Sequence, residues 1–211
     1  MRILFICTGN TCRSPMAEHL LRHKLPSLEV KSAGIYAVEN LPANKNAQLV
    51  LQEKGIEINH YSQPVTEKLL HWADLVITMT IQHKHSLILE YPSFQEKYYT
   101  LKEYVTPSIQ KSLENLTKAY AQLEQERAQF IQEHEQEYSM NKLNELMVAK
   151  FKNKIEEIRQ LEKTIVNGDV QDPFGGDIHI YRDTLKELDS YISKLAKNIK
   201  SNGGLQNDQE T

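Results

Sequence analysis

Apolar positions change their period several times along this chain, and each change marks an element. Ile3-Leu4-Phe5-Ile6 is an unbroken apolar run closed by turn residues, the pattern of a strand buried on both faces. Residues 15–25 then carry amphipathic helix spacing, and Leu28-Glu29-Val30-Lys31-Ser32 alternates as a strand does. Residues 44–54 give a second helix ended by Gly55, and Thr66 caps a short helix reaching His71. Asp74-Leu75-Val76-Ile77-Thr78 reads as a third strand, residues 81–90 as a helix and Tyr98-Tyr99-Thr100-Leu101 as a fourth strand. Strands alternating with helices predict an α/β fold with a four-stranded parallel sheet flanked by helices on both faces. Ligands in such sheets gather at the carboxyl ends of the strands.

The alternation then stops. Residues 109–167 contain neither Pro nor Gly and are rich in Glu, Gln, Lys and Leu, a composition of long helix. Leu113, Leu116, Tyr120, Leu123 and Phe130 recur at coiled-coil spacing, as do Met147, Phe151, Ile158, Leu161 and Ile165. The pattern predicts an inserted antiparallel coiled-coil hairpin over 109–167, reversing at Ser139-Met140-Asn141. Residues 109–138 carry three basic and six acidic side chains, while 141–167 carry six basic and four acidic ones. Glu133, Glu135 and Glu137 are therefore expected to meet Lys142, Lys150 and Lys152 across the pair. The remaining parts, 1–107 and 168–200, form one domain. Within it, residues 178–200 are a final amphipathic helix carrying Leu185, Leu188, Ile192, Leu195 and Ile199. Residues 201–211 are polar and predict a disordered tail.

The chemistry sits directly behind the first strand, in Cys7-Thr8-Gly9-Asn10-Thr11-Cys12-Arg13-Ser14. Ser14-Pro15 suits a helix start, with Ser as the cap. Strand, tight loop and helix N-terminus together make an anion site of inward N–H groups. A cysteine held there beside an arginine ionises below the ~8.5 of a free thiol, and the thiolate is the nucleophile. Cys7 is thus the candidate nucleophile, and Arg13 can hold two phosphoryl oxygens in a bidentate fork. Ser14 can donate to the thiolate, while Gly9 and Asn10 tolerate the positive φ angles of a tightly curled loop.

Cys-Thr-Gly-Asn-Thr-Cys-Arg-Ser-Pro-Met-Ala-Glu resembles the low-molecular-weight protein tyrosine phosphatase family. Asp172-Pro173-Phe174-Gly175-Gly176 resembles its general-acid loop. The resemblance spans residues 1 to about 107 and 168 to 200. It implies catalysis by Cys7, Arg13 and Asp172, with phosphate and substrate held by Thr8, Gly9, Asn10, Thr11, Cys12, Ser14 and Phe174. Ser32 and His60 fall where that family braces the loop, though either could equally be a satisfied polar residue beneath it. Thr11 is similar to the bacterial protein-arginine phosphatase branch, whereas family members acting on phosphotyrosine usually have isoleucine at this place. Gly175, standing where tyrosine phosphatases tend to have a second aromatic, agrees. Asp172 would act as proton donor and then as base toward water. The insertion departs from the family pattern, in which the acid loop follows soon after a segment like Leu101–Val105.

The resemblance therefore implies a cysteine-dependent phosphatase for phosphoarginine in proteins. The alternatives are a phosphotyrosine phosphatase, or a phosphate-binding scaffold acting through the coiled coil. No metal or cofactor is needed by this chemistry. Arsenate reduction would need further cysteines, and Cys7 and Cys12 are the only two. Peroxide could join those two as a protective disulfide, or Cys12 could simply be a small residue in a tight loop. A net charge of −3 gives no nucleic-acid footprint, and no apolar run or signal pattern points to a membrane. The expected setting is cytoplasmic, with phosphorylated proteins as substrates. Residues 109–167 are the expected place for a protein partner or self-association.

Overall fold

The structure, a computed structural model, describes residues 1–165 and 168–202. The chain divides into two compact units, one built from Met1–Val105 with the residues from Gly168 onward, the other beginning at Thr106.

In the first unit, β1 (Arg2–Cys7), β2 (Glu29–Gly34), β3 (Leu75–Thr78) and β4 (Tyr98–Thr100) form a parallel sheet in the order β2-β1-β3-β4. The central strand β1 has its last five residues buried, as a strand covered on both faces requires. Alternate residues serve opposite faces. Ile3, Phe5 and Cys7 join a cluster with Met16, Leu20, Leu185, Leu188 and Ile192, drawn from α1 (Arg13–Lys24) and α8 (Ile178–Asn202). The other face joins Leu4 and Ile6 to Leu70 of α3 (Glu67–Trp72) and Leu87 of α4 (Ile81–Glu90). α2 (Lys45–Gln52) and α5 (Leu101–Val105) add Val50, Leu51, Leu101 and Val105 to the first of these clusters.

Several boundaries differ from the sequence expectation. β2 runs on to Gly34 because Ala33 and Gly34 pair with Ile6 and Cys7. Leu101 belongs to α5, not to β4. The Glu103 amide bonds Thr100 Oγ1 and the Thr100 amide bonds Glu103 Oε2, a reciprocal cap that starts a helix there. A 3₁₀ turn over Pro92–Lys97 was also not anticipated. Ser14 is not the cap of α1: the helix starts at Arg13, Cys12 precedes it, and no side chain caps it. The Ser14 hydroxyl is engaged in the loop instead. α8 extends to Asn202, so the expected tail cannot begin at 201, and residues 203–211 lie outside the described residues.

The second unit is two long helices, α6 (Pro107–His134) and α7 (Met140–Ile165). Lys154 pairs with Glu126, Tyr120 with Glu162 and Phe151 packs edge-on to Phe130, which makes the helices antiparallel. Their interior is Leu123, Phe130, Leu143, Met147, Phe151 and Ile158. Leu143 stands one turn before Met147 and extends the second apolar series by one position, and the reversal comes before Met140, since Met140 and Asn141 are already helical. Tyr120 is exposed, its hydroxyl on Glu162. The side chain of Ile165 lies outside the described residues. The expected cross-pair glutamate–lysine contacts are replaced: Lys142 bonds Glu145 within its own helix, and Lys150 sits 4.3 Å over the Phe130 ring.

Candidate active site

The loop from Cys7 to Ser14 leaves the carboxyl end of the central strand, and its carbonyl oxygens are tied outward one by one. Cys7 O accepts from Ile35 N at 3.0 Å, Thr8 O from Tyr36 N at 2.9 Å and Thr11 O from Asn44 N at 2.8 Å. Asn10 O accepts from His60 Nε2 at 2.7 Å. A carbonyl and the next amide point opposite ways, so these bonds turn the N–H groups of Thr8, Gly9, Thr11 and Cys12 inward as an anion cradle. Gly34 lies beneath the loop. A Cβ there would come 2.6 Å from Thr8 O and 2.8 Å from Asn10 N, so only glycine lets the strand pass so closely.

Asn10 holds the curl. It takes φ 54°, whereas Gly9 does not need the left-handed region. Its side-chain amide donates to Ser14 Oγ at 2.9 Å and Ser32 Oγ at 2.8 Å, and its carbonyl oxygen accepts from Gln63 N at 2.9 Å. Ser32 in turn donates to buried Glu18. Ser32 and His60 thus lie beneath the loop in contact with Asn10, and burial holds the His60 imidazole below its usual pKa. Ser14 Oγ lies 3.0 Å from Cys7 Sγ.

Cys7, Thr8, Gly9, Thr11, Cys12, Arg13, Asp172 and Phe174 enclose a cavity of ≈ 190 Å³. Arg13 is nearly buried and reaches Asp172 Oδ2 at 2.6 Å, Thr8 Oγ1 at 3.3 Å and Val170 O at 3.4 Å. Its Nε is buried without a hydrogen-bond partner among the described residues, a donor suited to an anion's oxygen. Asp172 also accepts from Phe174 N at 3.2 Å, so it closes a turn while facing the cavity. Its loop is fixed by Val170 N on Met79 O at 2.8 Å, by Ile81 N on Asp169 Oδ1 at 2.7 Å and by Gln171 N on Glu187 Oε2 at 3.2 Å. Gly175 has φ 79°, the left-handed turn that carries exposed Phe174 to the cavity mouth.

Every site residue expected from the sequence comes together here: eight line the cavity, while Asn10, Ser14, Ser32 and His60 lie under it. Four neighbours were missed. Glu18 and Gln63 complete the support beneath Asn10. Tyr181 places its hydroxyl 3.1 Å from Cys12 Sγ, and burial pushes the Cys12 thiol up. His83 lies 2.9 Å from Thr8 Oγ1. Tyr181 stands one turn before Leu185 on the apolar face of α8, a legible packing signal, but nothing in sequence joins His83 to residue 8. Among the described residues no cluster of three or more His, Cys, Asp or Glu could hold a metal. No helix there is long and apolar enough to cross a membrane.

Comparison with known proteins gives a consistent picture. The family profile described as low molecular weight phosphotyrosine protein phosphatase matches residues 2–140. A protein-arginine-phosphatase of Bacillus subtilis is 35% identical over 204 residues, covering 95% of this chain and 97% of that protein. One from Geobacillus stearothermophilus is 33% identical over 201 residues, with the same coverage of each. A solved structure of YwlE arginine phosphatase, a cysteine-to-serine mutant with a phosphorylated active-site serine, superposes with a TM-score of 0.67. It is 34% identical and covers 98% of this chain and 100% of that one.

Proposed function

The chain belongs to the low molecular weight phosphotyrosine protein phosphatase family and is a phosphatase, and we propose that it removes phosphate from arginine side chains of proteins. The Cys7 thiolate attacks phosphorus, an S–P bond forms and the P–N bond breaks. Asp172 gives its proton to the departing guanidinium nitrogen. Water then attacks the phosphocysteine, Asp172 takes a proton from it, the S–P bond breaks and phosphate leaves. Arg13 and the loop amides stabilise the charge spread over the phosphoryl oxygens in both steps.

The observation that carries this reading is Thr11 in the cavity wall, in the same cavity as the Asp172 carboxylate. A hydroxyl and a carboxylate suit a planar cation rich in N–H groups better than they suit a benzene ring. Full-length relatives named protein-arginine-phosphatase support it. The second reading, phosphotyrosine, is favoured by Phe174, whose exposed ring at the mouth could stack on an aromatic leaving group.

The deciding experiment is hydrolysis of matched phosphoarginine and phosphotyrosine peptides by wild type and Thr11→Ile. We expect the wild type to favour phosphoarginine by at least ~10-fold and the variant to reverse that order, an apolar contact being worth about 1–3 kcal/mol. Preference of the wild type for phosphotyrosine would overturn the arginine reading and leave the phosphatase chemistry intact.

A further inference from the structure

His83 is buried in the first turn of α4, yet it belongs to the phosphate loop by its bonds. Its Nε2 lies 2.9 Å from Thr8 Oγ1 and its Nδ1 lies 2.9 Å from Thr80 Oγ1. Thr80 caps α4, and its hydroxyl oxygen accepts from the His83 amide at 3.1 Å. With that bond accepted, the Thr80 proton can turn to His83 Nδ1, the arrangement that leaves the ring proton on Nε2 and aims it at Thr8. Thr8 Oγ1 also faces Arg13 Nη2 at 3.3 Å, a group that can only donate. In that tautomer two donors fill the lone pairs of the Thr8 oxygen, and its own proton is free to turn into the cavity it shares with Cys7 and Arg13.

We propose that His83 is a positioning residue of this centre: it fixes the Thr8 hydroxyl as a donor to the phosphoryl group and keeps that group aligned with Arg13. Burial and the Arg13 charge push the imidazole down to about 4, which keeps it neutral at working pH. The proposal rests on the phosphatase reading and not on the choice between arginine and tyrosine, because the hydroxyl faces phosphorus rather than the leaving group.

The test is a double-mutant cycle read as kcat/KM for p-nitrophenyl phosphate and for a phosphoarginine peptide. His83→Leu and Thr8→Val should each lose about tenfold, the worth of one hydrogen bond at its upper end. The double variant should also lose about tenfold rather than a hundredfold. His83→Gln, whose amide can still donate toward Thr8, should recover to within about threefold of wild type. His83→Asn keeps a polar group near Thr80 but is too short for Thr8, and runs the same cycle should His83→Leu fail to fold. A double variant down a hundredfold, or no loss in folded His83→Asn and His83→Leu, would overturn the proposal. An equal loss on both substrates supports it whichever leaving group the enzyme prefers; a loss confined to one substrate would also overturn it.

Discussion

The two units of this protein use polar side chains in opposite ways. In the helix pair the bonds are mostly local: Gln110 to Glu114, Arg127 to Glu124, Gln129 to Glu133, Lys142 to Glu145 and Gln160 to Glu156. Each joins residues three or four apart on an exposed face and contributes a few tenths of a kcal/mol. In the phosphate loop the partners are remote. Asn10 bonds Ser32, His60 and Gln63; Thr8 bonds His83; Arg13 bonds Asp172. Such bonds exist only when the sheet has formed, and several are buried, where losing one partner leaves a desolvated group unsatisfied. The helix pair therefore tolerates substitution at most surface positions, and the loop tolerates very few.

The sharpest contrast comes from Asp172. Asp172→Asn removes the proton donor and the ion pair with Arg13 while keeping the turn to Phe174. Turnover of a phosphoarginine peptide should fall by about 10²–10⁴-fold, the range for a lost general acid. With p-nitrophenyl phosphate, whose leaving group needs little protonation, the loss should be smaller. Equal losses on both substrates would mean that the carboxylate acts through Arg13 rather than on the leaving atom.

An intermediate effect is expected from pH. His83 is pushed down to about 4 from an ordinary value of 6.5, and His60 is lowered too, both chiefly by burial. Between those values the unfolded chain binds protons that the folded one does not, so stability falls as pH drops from 6.5 toward 4 and levels off below it. For His83 the fall is on the order of 3 kcal/mol. Urea unfolding of the wild type and His83→Gln at pH 7.5 and 4.5 checks it. The variant should lose less on acidification, and parallel losses would remove His83 from the account.

What could be read in advance follows the same division between local and remote. The strand, the loop and the Asp-Pro-Phe-Gly-Gly turn are contiguous motifs, so the nucleophile, the arginine and the carboxyl were all visible in sequence. The apolar run Ile3–Ile6 placed β1, because burial on both faces leaves an unbroken apolar signature, and alternation placed β2. The Ser14 cap failed because a hydroxyl next to a helix start has competing uses, and Cys7 and Asn10 claim this one. His83 was invisible for a deeper reason. Its partner lies 75 residues away, and only the pairing of β1 with β3, which α4 follows, brings them together. In the helix pair the period was legible, but the reversal comes before Met140 rather than at 139–141, which changes the partners that the lysines meet.

The smallest effect on turnover is predicted for the largest change. The bonds that fix the acid loop come from Met79, Ile81 and Glu187, and a buried Lys102 on α5 also pairs with Glu187 at 2.7 Å. All of these belong to the first unit. Replacing residues 109–167 by a short Gly-rich linker should therefore leave kcat/KM for p-nitrophenyl phosphate within about threefold, since closing a loop costs little more as its length changes. A loss of a hundredfold with the first unit still folded by circular dichroism would mean that the helix pair positions Asp172. Retained turnover would confine the chemistry to the first unit and leave the helix pair a role other than catalysis.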